Sequence, residues 1–97
     1  MSKVLNMQVT DAGYRYIGHY RKGELKMVLE GRGVGCTVYP KDEFNLVKLF
    51  FVFGIDCEDG VMLESIKGKV CRVILDDELR PCKLQHITID SIVWEVK

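Results

Sequence analysis

Residues 41 to 54 read Lys-Asp-Glu-Phe-Asn-Leu-Val-Lys-Leu-Phe-Phe-Val-Phe-Gly, and this apolar run organises the interpretation of the whole chain. Asp42 can cap the N-terminus of a helix, and Glu43 suits the positive end of the helix dipole. Gly54 can end the helix in a left-handed turn. These signals predict one helix from Glu43 to Phe53.

The predicted helix is apolar on two sides. With successive residues about 100° apart, Phe44, Val47 and Phe51 fall on one side. Leu46, Leu49, Phe50 and Phe53 fall on the other side. The two sides together form an apolar arc of about 220°, which is wider than the apolar stripe of an ordinary surface helix. Because a chain of 97 residues has only a small core, we expect one side to pack on the chain's own sheet and the other on a second copy. We assign the interface of this homo-oligomer to the other side and a late tryptophan: Leu46, Leu49, Phe50, Phe53 and Trp94.

The composition indicates one folded domain. Hydrophobic residues make up 47% of the chain, which excludes a disordered protein. The longest apolar run, Leu49 to Ile55, is shorter than the roughly 20 residues that a membrane helix needs. The first residues, Met1 to Asn6, do not resemble a signal peptide. We therefore predict a cytoplasmic protein without a membrane partner.

The cysteines do not form a recognisable ligand motif. Cys36, Cys57, Cys71 and Cys82 include no Cys-x-x-Cys pair, and we interpret them as reduced, buried thiols. A metal site built from Cys71, Cys82 and His86 is the alternative, but these residues lack the close spacing of zinc ligands. We predict no metal and no cofactor.

The rest of the chain predicts strands and turns. Asp11-Ala12-Gly13 is a turn signal, Asp76 to Pro81 is the tip of a hairpin, and Val61 to Ile66 predicts a single helical turn. The fold class is α+β, with a curved, mostly antiparallel sheet of about five to six strands and one principal helix inserted in mid-chain. The predicted strand segments are Val4–Thr10, Tyr14–Tyr20, Leu25–Glu30, Cys36–Tyr39, Val70–Leu75, Cys82–Ile87 and Ile92–Val96.

The two halves of the chain differ in charge. Residues 1 to 41 carry seven Lys/Arg against three Asp/Glu, and residues 42 to 97 carry seven against eleven. The basic half also contains all four tyrosines, and cations beside aromatic rings suit a phosphate-bearing ligand or a nucleotide. The alternative is that folding mixes both halves into an even surface. The candidate ligand-binding residues are Arg15, Arg21, Lys22, Arg32, Tyr14, Tyr16 and Tyr20, together with Gly31 and Gly33.

The most suggestive local motif is Gly31-Arg32-Gly33-Val34-Gly35. Glycines can turn successive backbone N–H groups toward an anion, and the Arg32 guanidinium would add further donors. No helix is predicted to open at the third glycine, so the motif is not a dinucleotide-binding fingerprint. The interpretation that we favour for the glycines themselves is a wide hairpin turn with a bulge.

The sequence does not predict an enzyme. It contains no serine or cysteine motif with a nearby base and no pair of histidines at metal-binding spacing. Asp76, Asp77 and Glu78 could hold a divalent cation, but we interpret them as an exposed acidic hairpin tip.

A series of features follows in a fixed order from the glycine motif onward. They are Gly31, Gly33 and Gly35; the apolar helix from Leu49 that closes at Gly54-Ile55; Leu63 with Ile66-Lys67-Gly68-Lys69-Val70-Cys71-Arg72-Val73; and His86-Ile87 with Trp94. This order resembles a family of small, largely uncharacterised accessory proteins of bacteriophages and prophages. The resemblance implies a phage origin and interference with a host process in the host cytoplasm.

Three functional hypotheses follow. The leading one is a non-enzymatic, homo-oligomeric phage accessory protein that counters host defence by sequestering a small phosphate-bearing signal, such as a cyclic nucleotide. The alternative is a protein–protein inhibitor of a host defence enzyme or a CRISPR effector. The third, a structural phage protein or a DNA-binding module, is disfavoured because the net charge is zero and no basic recognition helix is predicted.

Overall fold

The computed structural model describes residues 3–19, 22–40, 46–56, 60 and 62–96, without the side chains of residues 15–17, 22 and 23. Within these ranges it has six strands, one α-helix and one 3-10 turn. Their bounds, in chain order, are β1 (Lys3–Ile17), β2 (Lys22–Gly31), β3 (Val34–Val38), α1 (Leu46–Val52), the 3-10 turn Leu63–Ser65, β4 (Val70–Leu75), β5 (Pro81–Gln85) and β6 (Val93–Glu95).

All six strands belong to one antiparallel sheet in the order β3-β2-β1-β4-β5-β6. The predicted α+β class, with a curved antiparallel sheet and one helix in mid-chain, is confirmed. The 3-10 turn lies inside the segment predicted to form one helical turn, and β4 has the predicted bounds. The sheet is built around β1, which pairs with β2 along one edge and with β4 along the other.

The prediction of two strands separated by a turn at Asp11-Ala12-Gly13 is wrong. The chain continues as one strand because β2 keeps pairing past this point, as at Asp11↔Val28 and Gly13↔Lys26. The register shifts between Val9 and Asp11, which marks a β-bulge. At the bulge the Val9 N–H donates to the Lys69 carbonyl at 2.9 Å, and the Gly68 N–H donates to the Val9 carbonyl at 2.8 Å. A bulge and a turn share the same residue types, so composition alone did not separate them.

The sheet has one core-facing side, the inner face, and one side open to solvent, the outer face. Side chains alternate between the two faces along each strand, so the apolar residues at alternate positions face the core. In β1, Leu5, Met7 and Val9 are buried, whereas Gln8 and Thr10 are exposed on the outer face. The other buried apolar strand residues are Leu25, Met27, Leu29, Val38, Cys71, Val73, Leu75, Leu84 and Trp94.

Helix α1 covers the β5–β6 end of the inner face. It ends as predicted, because Gly54 has φ of 73° and its N–H donates to the Phe51 carbonyl at 2.9 Å. The Ile55 N–H donates to the Phe50 carbonyl at 3.0 Å, which completes the left-handed cap. The predicted first residues of the helix, 43 to 45, lie outside the described residues.

The side of α1 that was assigned to a second copy packs instead on the chain's own sheet. Leu49 is 0% exposed, and Phe53 and Trp94 are each 6% exposed, so these three side chains lie in the core of a single copy. Leu46 and Phe50 are half-buried against the same core. The side that stays exposed in a single copy carries Val47 and Phe51.

Candidate functional site

The glycine motif forms the tight turn between β2 and β3. Gly31 pairs with Val34, and the two residues between them, Arg32 and Gly33, both have positive φ, at 50° and 76°. This is the pattern of a two-residue type I′ hairpin turn, which matches the natural twist of the strands. The glycine motif therefore forms a hairpin turn, as the interpretation that we favoured predicts. The turn is tight, however, and not wide with a bulge.

Gly31 sits where β1 and β2 approach closely. A Cβ atom built at Gly31 would overlap the Asn6 carbonyl oxygen and would lie 3.1 Å from Met7 Cγ and 3.2 Å from Met7 Cα. Because the overlap is with backbone, a side chain at this position cannot be accommodated by a rotamer change. The absence of a side chain at Gly31 thus fixes the position of the turn against the central strand.

An open cleft of about 490 Å³ lies on the outer face beside this turn. Gln8 and Thr10 of β1 form one wall, and Glu30 at the end of β2 lies next to them because Gln8 pairs with Glu30. The turn and the start of β3, residues 31 to 35, form the rest of the lining. The cleft therefore offers an amide, a hydroxyl, a carboxylate and a guanidinium over exposed backbone.

Arg32 is the cation of the cleft. It is exposed, and it forms no ion pair or hydrogen bond with another described residue. Gln8 is held in place, because its Nε2 donates to the Gly68 carbonyl at 3.2 Å. The Thr10 hydroxyl donates to the Val28 carbonyl at 3.4 Å, which is a long hydrogen bond. A bound ligand would find the guanidinium available and the opposite wall already ordered.

Tyr14, another predicted ligand-binding residue, does not join this cleft. Tyr14 pairs with Leu25, six positions along β2 from Gly31, and six strand residues span about 20 Å. Tyr14 is 66% exposed and shares the inner face with Leu25, whereas the cleft is on the outer face. Within one copy, Tyr14 and the glycine turn therefore lie apart, because an antiparallel hairpin carries its closing loop away from its open end.

Three further residues of the predicted ligand-binding set have their backbones at the end of the β1–β2 hairpin that is far from the cleft. The backbones of Arg15, Tyr16 and Lys22 pair near that end, at Arg15↔Glu24, Tyr16↔Gly23 and Ile17↔Lys22. Tyr20 and Arg21 lie outside the described residues. Of the predicted ligand-binding residues whose side chains the structure describes, Gly31, Arg32 and Gly33 line the cleft and Tyr14 does not.

Sequence reasoning missed Gln8, Thr10 and Glu30. The alternation of Gln8 and Thr10 with buried Met7 and Val9 indicates that they face solvent, and this signal is visible in the sequence. Their proximity to the glycine turn depends on the Gln8↔Glu30 register, which no local pattern encodes.

The acidic hairpin tip is structural. Asp76 Oδ1 accepts hydrogen bonds from the N–H groups of Glu78 and Arg80, both at 2.9 Å, and Oδ2 accepts one from Arg80 Nε at 3.2 Å. These backbone donors and the Arg80 charge lower the pKa of the Asp76 carboxyl. Within the part of the chain that the structure describes, no three His, Cys, Asp or Glu side chains are grouped to hold a metal ion.

Two of the thiols lie in or near the core. Burial raises the pKa of Cys71 to about 12, and the nearby Cys36 adds to the effect. Burial also raises the pKa of Cys36, whose thiol lies 3.8 Å from the Met7 sulfur. Because the thiolate is the reactive form, burial lowers the reactivity of both thiols, and that of Cys71 the more.

No protein-family model, curated protein or solved structure matches this chain. The likeness to phage accessory proteins therefore rests on the order of its sequence features. None of the helices in the described residues is both long and apolar enough to span a bilayer.

Proposed function

We propose that this protein is a non-enzymatic binding protein whose outer-face cleft takes a small phosphate-bearing ligand, such as a cyclic nucleotide. The observation that carries the proposal is Arg32, an exposed residue of the glycine turn whose guanidinium forms no ion pair or hydrogen bond with another described residue. A guanidinium presents a planar fork of donors that matches phosphate oxygens. The cleft volume of about 490 Å³ lies within the usual range of small-molecule sites.

Glu30 narrows the ligand class. A carboxylate repels a bare phosphate, so the cleft favours a molecule that also carries hydrogen-bond donors at a distance from its anionic group. Ribose hydroxyls and the exocyclic amino groups of bases are such donors, and Gln8 and Thr10 lie on the same wall to accept or donate further hydrogen bonds. A nucleotide satisfies both requirements, with phosphate on Arg32 and sugar or base toward Glu30.

Isothermal titration calorimetry against linear and cyclic nucleotides tests the proposal. Arg32→Asn removes the charge and keeps a residue that tolerates positive φ, whereas Lys83→Gln removes an exposed cation on β5 as the matched control. Since a hydrogen bond to a charged group contributes about 1.5–3 kcal/mol, Arg32→Asn should weaken binding by tenfold or more. Absence of binding by every nucleotide, or equal losses in both variants, would contradict the proposal.

The biological setting is part of the same proposal. The order of features that resembles phage accessory proteins supports a counter-defence role, in which the protein sequesters a host signal nucleotide. A sequestering protein needs no catalytic group, and its stability should rise with ligand concentration. Infection assays with wild-type protein and with Arg32→Asn test this role, because protection of the phage should depend on the cleft.

The second candidate is inhibition of a host defence protein, and the exposed side of α1 favours it. Val47 is 47% exposed and Phe51 is 44% exposed, and residues four apart lie on one side of a helix. Val47→Glu and Phe51→Glu should abolish recovery of a host partner by pull-down if this side binds it. Heat stabilisation by a nucleotide distinguishes the first candidate from the second.

A further inference from the structure

Strand β3 forms one edge of the described sheet, and its own residues carry none of the side chains that usually protect an edge. Its sequence, Val34-Gly-Cys-Thr-Val38, contains no charged residue and no proline. The opposite edge, β6, has only three residues and carries Glu95, which pairs with Lys83 at 3.9 Å. Short edge strands and charged side chains discourage pairing with another chain. Of the two edges in the described part of the sheet, β3 is the one open to pairing.

The hairpin geometry shows which backbone groups of β3 point away from β2. Gly31 and Val34 close a two-residue turn, and residues in this position form a hydrogen-bonded pair. Hydrogen-bonded and non-hydrogen-bonded pairs then alternate along the ladder, so Cys36 and Val38 also direct their N–H and C=O groups toward β2. Gly35 and Thr37 therefore direct theirs away from the sheet.

One symmetric register satisfies these outward groups. If the β3 strands of two copies run antiparallel about a two-fold axis at Cys36, Gly35 of each copy lies opposite the partner subunit's Thr37. Each such pair exchanges two hydrogen bonds, so both outward residues of both copies are satisfied. The side chains also fit, because Thr37 faces a residue without a side chain and the strands bring no like charges together.

We infer that a second copy of this chain pairs with β3 in this register and extends one sheet across a two-fold dimer. This inference does not depend on the proposed ligand, but it affects the cleft. Gly35 lines the cleft, and neighbouring strands lie about 4.8 Å apart. The hydroxyl of the partner subunit's Thr37 therefore joins the rim of each cleft, and the two clefts lie on the same face of the joined sheet.

Proline substitution provides a direct test. Thr37→Pro removes an N–H that points away from β2, so the isolated fold tolerates it as it tolerates edge prolines. Thr37→Ala keeps this N–H and serves as the control. Sedimentation equilibrium without any nucleotide should give the mass of two chains for the wild type and for Thr37→Ala, and the mass of one chain for Thr37→Pro. A monomeric wild type at millimolar concentration, or a dimeric Thr37→Pro, would overturn the inference.

Thiol crosslinking gives a second measurement that needs no proline variant. In the proposed register Cys36 faces its own copy in a non-hydrogen-bonded pair, where Cα atoms are about 4.5 Å apart. This spacing lies within the range that a disulfide bridges. Diamide, which takes up the two thiol hydrogens, should convert the wild type and Cys82→Ser to a covalent dimer but leave Cys36→Ser monomeric on a non-reducing gel. A dimer band that survives in Cys36→Ser, or none in the wild type, would contradict the register even if Thr37→Pro failed to fold.

Discussion

Replacing Leu49 by alanine tests which side of α1 belongs to the core. Leu49 is 0% exposed and packs in the cluster that joins the helix to the β5–β6 end of the sheet. Loss of its side chain removes buried methyl groups and leaves a cavity, which costs about 2–5 kcal/mol of unfolding free energy. Small domains have only about 5–15 kcal/mol in total, so the loss would be large. Each kcal/mol should lower the midpoint of thermal unfolding by about 4–8 °C in a chain of this size.

Val47→Ala is the matched control on the exposed side of the same helix. Val47 is 47% exposed, so its truncation should change the stability by no more than about 0.5 kcal/mol. Alanine is also the better helix former, which offsets part of any lost contact. Urea unfolding followed by circular dichroism, at one protein concentration and with an unchanged m-value, measures both variants. If Val47→Ala costs as much as Leu49→Ala, the helix does not pack as described.

Three further outcomes follow from individual contacts. Gly31→Ala should destabilise the fold by about 1–3 kcal/mol, because the added Cβ overlaps backbone. Gly35→Ala is the control and should be nearly neutral in the same urea assay, because its Cβ would lie 3.7 Å from the nearest atom, Glu30 Cγ. Equal effects of the two substitutions would contradict the close approach of β1 to Gly31. Because folding lowers the pKa of Asp76, its ionised carboxylate adds to the free energy of unfolding above the ordinary carboxyl pKa. This stabilisation is lost as the pH falls through the lower pKa of the folded state. The stability gap between wild type and Asp76→Ala should therefore close at acid pH, and a pH-independent gap would refute the turn contacts. Iodoacetamide should alkylate Cys82 in the native protein but should alkylate Cys71 only after unfolding. Mass spectrometry measures the labelling of each site. Similar labelling rates for both thiols in the folded state would show that Cys71 is not buried.

The sequence predicted those parts of the fold that depend on local signals. Alternating apolar residues gave β4 its bounds, and Gly54 marked the end of α1. The bulge after Val9 was misread as a turn because Asp11 and Gly13 suit both structures. Pairing with β2, which lies beyond the range of a local pattern, decided between them.

The two sides of α1 show a second limit. Helical periodicity identified both apolar arcs, but it contains no information about which arc meets the sheet. The arc that faces the sheet is set by the positions of β5 and β6, against which α1 packs. As a result, Leu49 is buried and Phe51 is exposed. Amphipathic patterns predict that a side is buried, whereas the identity of that side comes from tertiary packing.

The candidate site was predictable only in part, for the same reason. Arg32 and Gly33 stood out because three glycines in five residues are uncommon in a strand. Tyr14 was grouped with them on charge and aromatic content, but the β1–β2 register holds it about 20 Å away. Glu30, which shapes the ligand class, has no local feature that distinguishes it from any surface carboxylate.

The central position of β1 also bears on how the chain reaches its native state. The pairing of β1 with β2 can form early, since the two strands are neighbours in sequence. The pairing of β1 with β4 joins distant parts of the chain, because Met7 lies opposite Cys71. Contacts between such distant residues slow folding, and an unsatisfied strand edge is prone to aggregate in the meantime. On the ribosome, the nascent hairpin therefore emerges well before its second neighbour, and capture of β4 is the step at which a chaperone would improve the yield of this protein.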